Sequence, residues 1–137
     1  MTDEKGGISG GLNMQNLAIK FIRCAVLYAI VGMTLGIFMA ASNDHVQAPT
    51  HTHINLLGWV SMAIFGLVYR AFPTLAVGTL PKVHFWLMNV GVIGMIAGLF
   101  LMFAGHMEFV PLTAVASLFV LAGMLLFAII VYRGRAE

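Results

Sequence analysis

Four long apolar stretches, parted by short polar ones, run through the chain and predict four helices. The first sixteen residues, MTDEKGGISGGLNMQN, are polar and glycine-rich, a composition that buries too little surface to offset ordering and so predicts a mobile tail. From Leu17 to Ala41 the chain is apolar, interrupted only by Lys20 and Arg23 near its start. That stretch is longer than the roughly 7–15-residue apolar core of a secretory signal, so Met39-Ala40-Ala41 is a poor cleavage site and the helix is kept. Ser42 to Pro49 is the first connection, with Pro49 suited to the opening turn of the next helix because its missing donor is not needed there. The second helix covers residues 50–72 and stops at Pro73, which cannot continue it without losing a backbone bond. Thr74–Leu80 is a loop, residues 81–105 a third helix opened by Pro81, His106-Met107-Glu108 a turn, and residues 110–132 a fourth helix. Residues 134–137 form a short tail.

Each stretch matches the ~20 residues needed to cross the hydrocarbon core. Composition agrees: of 137 residues 61% are hydrophobic and 9% charged, with a mean hydropathy of +0.97, where a soluble domain carries about 25% charged residues. The expectation is an all-α integral membrane four-helix bundle, in contact with the lipid bilayer on all sides. A net charge of +2 from seven basic and five acidic residues gives no ground for nucleic-acid binding. Cys24 is alone, which excludes an internal disulfide or a cysteine metal cluster, and its apolar setting reads as a small buried hydrophobe.

Charge sets the orientation. Lys5, Lys20, Arg23, Arg70, Lys82, Arg133 and Arg135 fall at the two termini and the second connection, so the positive-inside rule puts both termini in the cytoplasm, as in a bacterial inner-membrane protein. Asp44, Glu108, His45, His51, His53 and His106 then lie toward the outer face. Gly32-x-x-x-Gly36 and Gly94-x-x-x-Gly98 are spaced for close helix contact, including contact between subunits.

His51-Thr52-His53 carries the candidate chemistry, because ionisable groups inside a membrane are costly and usually functional. Positions two apart point about 200° around a regular helix, so the two imidazoles cannot share one metal. Each can instead serve as an axial ligand of haem iron, with Gly58, Trp59, Ala63, Phe65 and Gly66 offering apolar surface beside a porphyrin. Asn55, four residues after His51, can orient that ring or make an interhelical hydrogen bond. The plainer alternative leaves both histidines among lipid headgroups, with Trp59 as an interfacial anchor. His84, beside Lys82 and Trp86, is expected at the cytoplasmic interface, His45 and His106 in solvated loops, and the ten methionines as packing filler. The absence of Cys-x-x-Cys-His excludes covalent c-type haem.

The stretch APTHTHINLLGWVSMAIFGLVYRAFP, 26 residues from Ala48 to Pro73, resembles the haem-binding helix of subunit I in the haem–copper oxidase superfamily, most closely the nitric oxide reductase and C-type oxidase branches. In those proteins a His-x-His near the outer end of a helix is followed by small residues and a helix-ending proline, positions met here by His51, His53, Gly58, Gly66 and Pro73. That subunit is built of three four-helix arcs in a ring, and this chain is similar to one arc, a third of the ring. The resemblance implies that His51 and His53 bind haem b on opposite faces, as high-spin and low-spin ligands, and that a homotrimer closes the ring. Electron transfer with an unidentified redox partner, or sensing of nitric oxide or oxygen, is the implied role. The family's copper or non-haem iron centre is not expected, since the third helix lacks outer-end histidines, no tyrosine is placed to crosslink to an outer histidine, and no carboxylate lies within the spans. A minimal oxygen or nitric oxide reductase assembled as a homo-oligomer, and a cofactor-free accessory or assembly subunit, stay open as alternatives.

Overall fold

Each apolar stretch forms a helix because a bilayer leaves backbone polar groups no partner but the helix itself. The structure, a computed structural model, describes residues 4–134, with side chains described from Gln15 onward. Among the described residues, four helices are long and apolar enough to cross a membrane, Gln15–Ser42, Ala48–Ala71, Leu80–Phe103 and Met107–Arg133, and there is no strand. The chain is an all-α membrane bundle.

Helix α1 (Glu4–Ser42) opens well ahead of Leu17. The mobile tail expected over residues 1–16 is thus helical from Glu4 onward, and residues 1–3 lie outside the described part. No proline interrupts the run, and extending an existing helix adds one bond per residue fixed. The helix ends at Asn43, whose φ of 53° is the left-handed conformation that terminates helices. The second span is one rod in three segments: α2 (Ala48–His53), a π-helical segment (Ile54–Ser61) and α3 (Met62–Ala71). The wide π turn begins directly after the His-x-His, and the periodicity did not anticipate it. Pro73 opens a short 3-10 turn (Pro73–Ala76) inside the expected loop. Gly78, at φ 90°, then reverses the chain into α4 (Leu80–Phe103). Gly105, at φ 100°, and a second 3-10 turn (Met107–Phe109) lead into α5 (Val110–Arg133). Of the expected C-terminal tail only Gly134 is described.

α1 packs along the second rod and α4 along α5, giving two helical hairpins. Both small-residue motifs serve packing within the chain. A Cβ on Gly32 would come within 2.7 Å of the Asn55 side chain, and one on Gly36 within 2.8 Å of the His51 ring. A Cβ on Gly94 would lie 3.2 Å from Ala116, and Gly98 faces Thr113. The subunit contacts considered for these motifs are therefore replaced by the seams inside each hairpin, where the absent side chains let backbones approach.

Among the described residues, three polar rungs join the hairpins. Toward the end that carries the α1–α2 connection, Gln47 donates from Nε2 to the Phe100 carbonyl at 3.1 Å and accepts from the Thr50 hydroxyl at 2.7 Å. Mid-bundle, the Tyr28 hydroxyl donates to Asn89 Oδ1 at 3.2 Å. Toward the basic end, Tyr69 and His84 meet at 2.8 Å between Oη and Nδ1. His84 to Phe100 is sixteen residues of α4, roughly 24 Å of helix axis, so the rungs are spread over most of the bundle's height.

Candidate functional site

The two histidines of the His-x-His leave α2 on different sides, as their spacing requires. His51 lies in the seam with α1, its ring against Gly36 and its Nδ1 2.8 Å from the Gly32 carbonyl oxygen. His53 stays on its own rod, with Nδ1 2.8 Å from the Pro49 carbonyl oxygen. A carbonyl only accepts, so Nδ1 carries a proton in each ring, and in the neutral form of such an imidazole Nε2 holds the bare lone pair. This is the tautomer in which histidine binds a metal, with its second nitrogen held by a backbone carbonyl.

Asn55 lies on the face of His51 and also touches Gly32. Its amide donates to the His51 backbone carbonyl at 2.9 Å. The same amide nitrogen lies 3.4 Å from His51 Nδ1 and 3.5 Å from Nε2. An atom so nearly equidistant from both ring nitrogens is on the outward axis of neither, and these contacts are packing against the ring rather than hydrogen bonds. Asn55 therefore fixes the backbone turn that presents His51 and leaves Nε2 unclaimed. His53 Nε2 likewise has no hydrogen-bond partner among the described residues, and it opens at the bundle surface.

The apolar surface expected along this rod is largely used inside the chain. A Cβ on Gly58 would come within 2.6 Å of the Tyr28 ring and one on Gly66 within 2.7 Å of Ile22, so both glycines seat α1. They are spacers between helices, which corrects their reading as surface beside a porphyrin. Phe65 is buried in an aromatic cluster. Trp59 alone of the larger expected wall residues stays outward, at 38% exposure.

His84 departs furthest from expectation. Rather than lying at the interface it is 0% exposed, enclosed by Phe21, Phe65, Tyr69 and Phe127, with the Phe127 ring stacked on it at 5.2 Å between centroids. Its Nδ1 bonds Tyr69, and its Nε2 is buried without a partner. Either direction of the bond leaves one polar hydrogen of the pair unmet, the Tyr69 O–H if Nδ1–H donates and the His84 Nε2–H if the phenol donates, so the pair is buried one partner short. The sequence signal was available in outline: Phe21, Phe65, Tyr69 and Phe127 recur on three separate spans at the same depth. Tyr69 and Tyr28 carry no local signal of their own, because their partners His84 and Asn89 lie on another span.

In the connection between α4 and α5, His106 Nδ1 and Glu108 Oε1 are 3.2 Å apart, both exposed, and an ion pair in that setting contributes little. His45 is also exposed. Among the described residues no three of His, Cys, Asp and Glu gather closely enough to hold a metal. Fold and site together define a helical membrane protein with two oriented imidazoles near one end of its second span. No family model, no curated protein and no solved structure matches the chain.

Proposed function

We propose that this protein binds b-type haem through His53 and His51 at the seams of a homo-oligomer, most simply a trimer, and serves electron transfer or gas sensing. The observation that carries the reading is the matched pair of carbonyl bonds at 2.8 Å, which leaves an Nε2 lone pair on each ring. Histidines serving only as interfacial polar groups need no such common tautomer.

The residues fit this group unequally. His53 opens at the surface beside lipid-facing Leu56 and Val60, where a second copy can cover a bound porphyrin. His51 lies in the seam with α1, against Gly32 and Gly36, so it would hold iron only at the edge of that seam. Bound haem would supply one-electron redox chemistry and gas ligation at iron. The chain's own part is to hold each imidazole in one tautomer, keep it at the outer end of the span and surround it with apolar groups that exclude water.

An absorption spectrum of protein purified after haem-replete expression tests the reading. A Soret band is expected, lost or strongly reduced in His53→Ala and shifted in His51→Ala; no band in the parent protein, or an unchanged band in both variants, overturns it. Native mass spectrometry of the haem-loaded protein should show a multiple of the protomer mass.

A further inference from the structure

The basic end of the bundle holds a cleft that the histidine chemistry does not use. It is about 720 Å³ in volume and lies between residues 16–23 of α1 and the start of α4. Lys20 and Arg23 line it from α1, Lys82 and Trp86 from α4, and the Ala76–Thr79 connection closes one side. The carboxylates whose side chains are described, Asp44 and Glu108, sit at the opposite end of the molecule, and the ion pair found among the described residues is the remote His106–Glu108. Three cations thus face one concavity with no described counter-charge. Thr79, at the N-cap of α4 and in the cleft wall, makes no side-chain cap bond, so the positive end of that helix's dipole adds to the cationic side chains.

Below this rim the surface turns apolar in register with it. Lys20, Arg23, Leu27 and Ile30 follow helical spacing along one face of α1, and Lys82, Trp86, Val90 and Ile93 along one face of α4. Leu27, Ile30, Val90 and Ile93 are all more than half exposed. The Tyr28–Asn89 bond ties the two helices at this depth. A cationic pocket with an indole at its edge, continued by two apolar stripes, matches an anionic head joined to hydrocarbon chains.

We propose that this cleft binds the phosphate head of an anionic phospholipid, with Lys20, Arg23 and Lys82 on the phosphate and the acyl chains along the α1 and α4 stripes. The positive-inside rule places this end in the leaflet richer in anionic lipid. The site is remote from the His-x-His and stands whether or not haem is bound.

The test is native mass spectrometry of the full chain, delipidated in neutral detergent and titrated with phosphatidylglycerol or with phosphatidylcholine of the same acyl chains. Phosphatidylglycerol should bind more tightly. Lys20→Gln/Arg23→Gln/Lys82→Gln should weaken it by roughly fivefold per charge, on the order of a hundredfold in all, toward the phosphatidylcholine level. Arg133→Gln, at the same end but outside the cleft, should leave it unchanged. Equal binding of the two lipids, an unaffected triple variant, or a loss as large in Arg133→Gln overturns the proposal. Inorganic phosphate separates the sources: if millimolar phosphate binds alone and displaces phosphatidylglycerol, the cleft is a site for a soluble anion and the lipid assignment fails.

Discussion

Tyr69→Phe removes one hydroxyl from the centre of the bundle and strands a buried imidazole. In the parent chain Tyr69 and His84 are 1% and 0% exposed and meet at 2.8 Å, while His84 Nε2 already lacks a partner. Without the hydroxyl neither ring nitrogen has a partner, in a cage of Phe21, Phe65 and Phe127 that admits no replacement. The loss should be about 1–3 kcal/mol, the cost of leaving a buried polar group unmet. His84→Leu strands the Tyr69 hydroxyl instead and also removes the ring stacked on Phe127, so its loss should be of similar size. Combining the two leaves no polar atom of this pair, and the double variant should fall well short of the sum. Coupling energies for hydrogen bonds between membrane helices average about 0.6 kcal/mol and reach about 1.7 kcal/mol, and this fully enclosed pair should sit at the upper end. Denaturant unfolding in micelles, followed by the fluorescence of Trp59 and Trp86, gives the four stabilities. If the single losses add to within about 0.5 kcal/mol, the bond contributes nothing specific and the cage is held by shape alone.

Gly36→Val should push the His51 ring off the Gly32 carbonyl, since a Cβ there would sit 2.8 Å from His51 Cε1; a loss of about 1–3 kcal/mol in the same unfolding assay is expected. If His51 ligates haem, that variant should also shift the Soret band even though it leaves His51 itself in place. Asn43→Val puts a β-branched residue at φ 53° and should lower stability by about 1–2 kcal/mol, whereas Asn43→Gly should be tolerated. On a Cys24→Ser background, Asp44→Cys should react with an impermeant thiol reagent added outside intact cells, and Thr74→Cys, exposed in the connection at the other end, only after the membrane is opened. The reverse pattern would invert the orientation read from the basic residues.

The spans were legible because a bilayer demands long apolar runs and because Pro49, Pro73, Pro81 and Gly105 mark their ends. That His51 and Asn55 share a face was legible too, from a spacing of four. What occupies the other side of that face was not: Gly32 and Gly36 have the spacing of a contact motif, and nothing local says whether the contacting helix belongs to the same chain. His84 was misjudged because its neighbours in sequence, Lys82 and Trp86, are interfacial in character, while its surroundings come from Phe21, Phe65, Tyr69 and Phe127 on other helices. The π turn over Ile54–Ser61 has no residue that encodes it, since Gly58 within it is explained by Tyr28 alone.

The division into two hairpins has a consequence for biosynthesis. Tyr69 belongs to the half that leaves the ribosome first, and His84 to the half that follows, so the imidazole enters lipid when its phenol partner is already in position. A fragment ending before Leu80 would display Tyr69 to the hydrocarbon with no hydrogen-bond partner, and quality-control proteases that survey the bilayer for exposed polar groups would have a mark by which to recognise the unfinished chain.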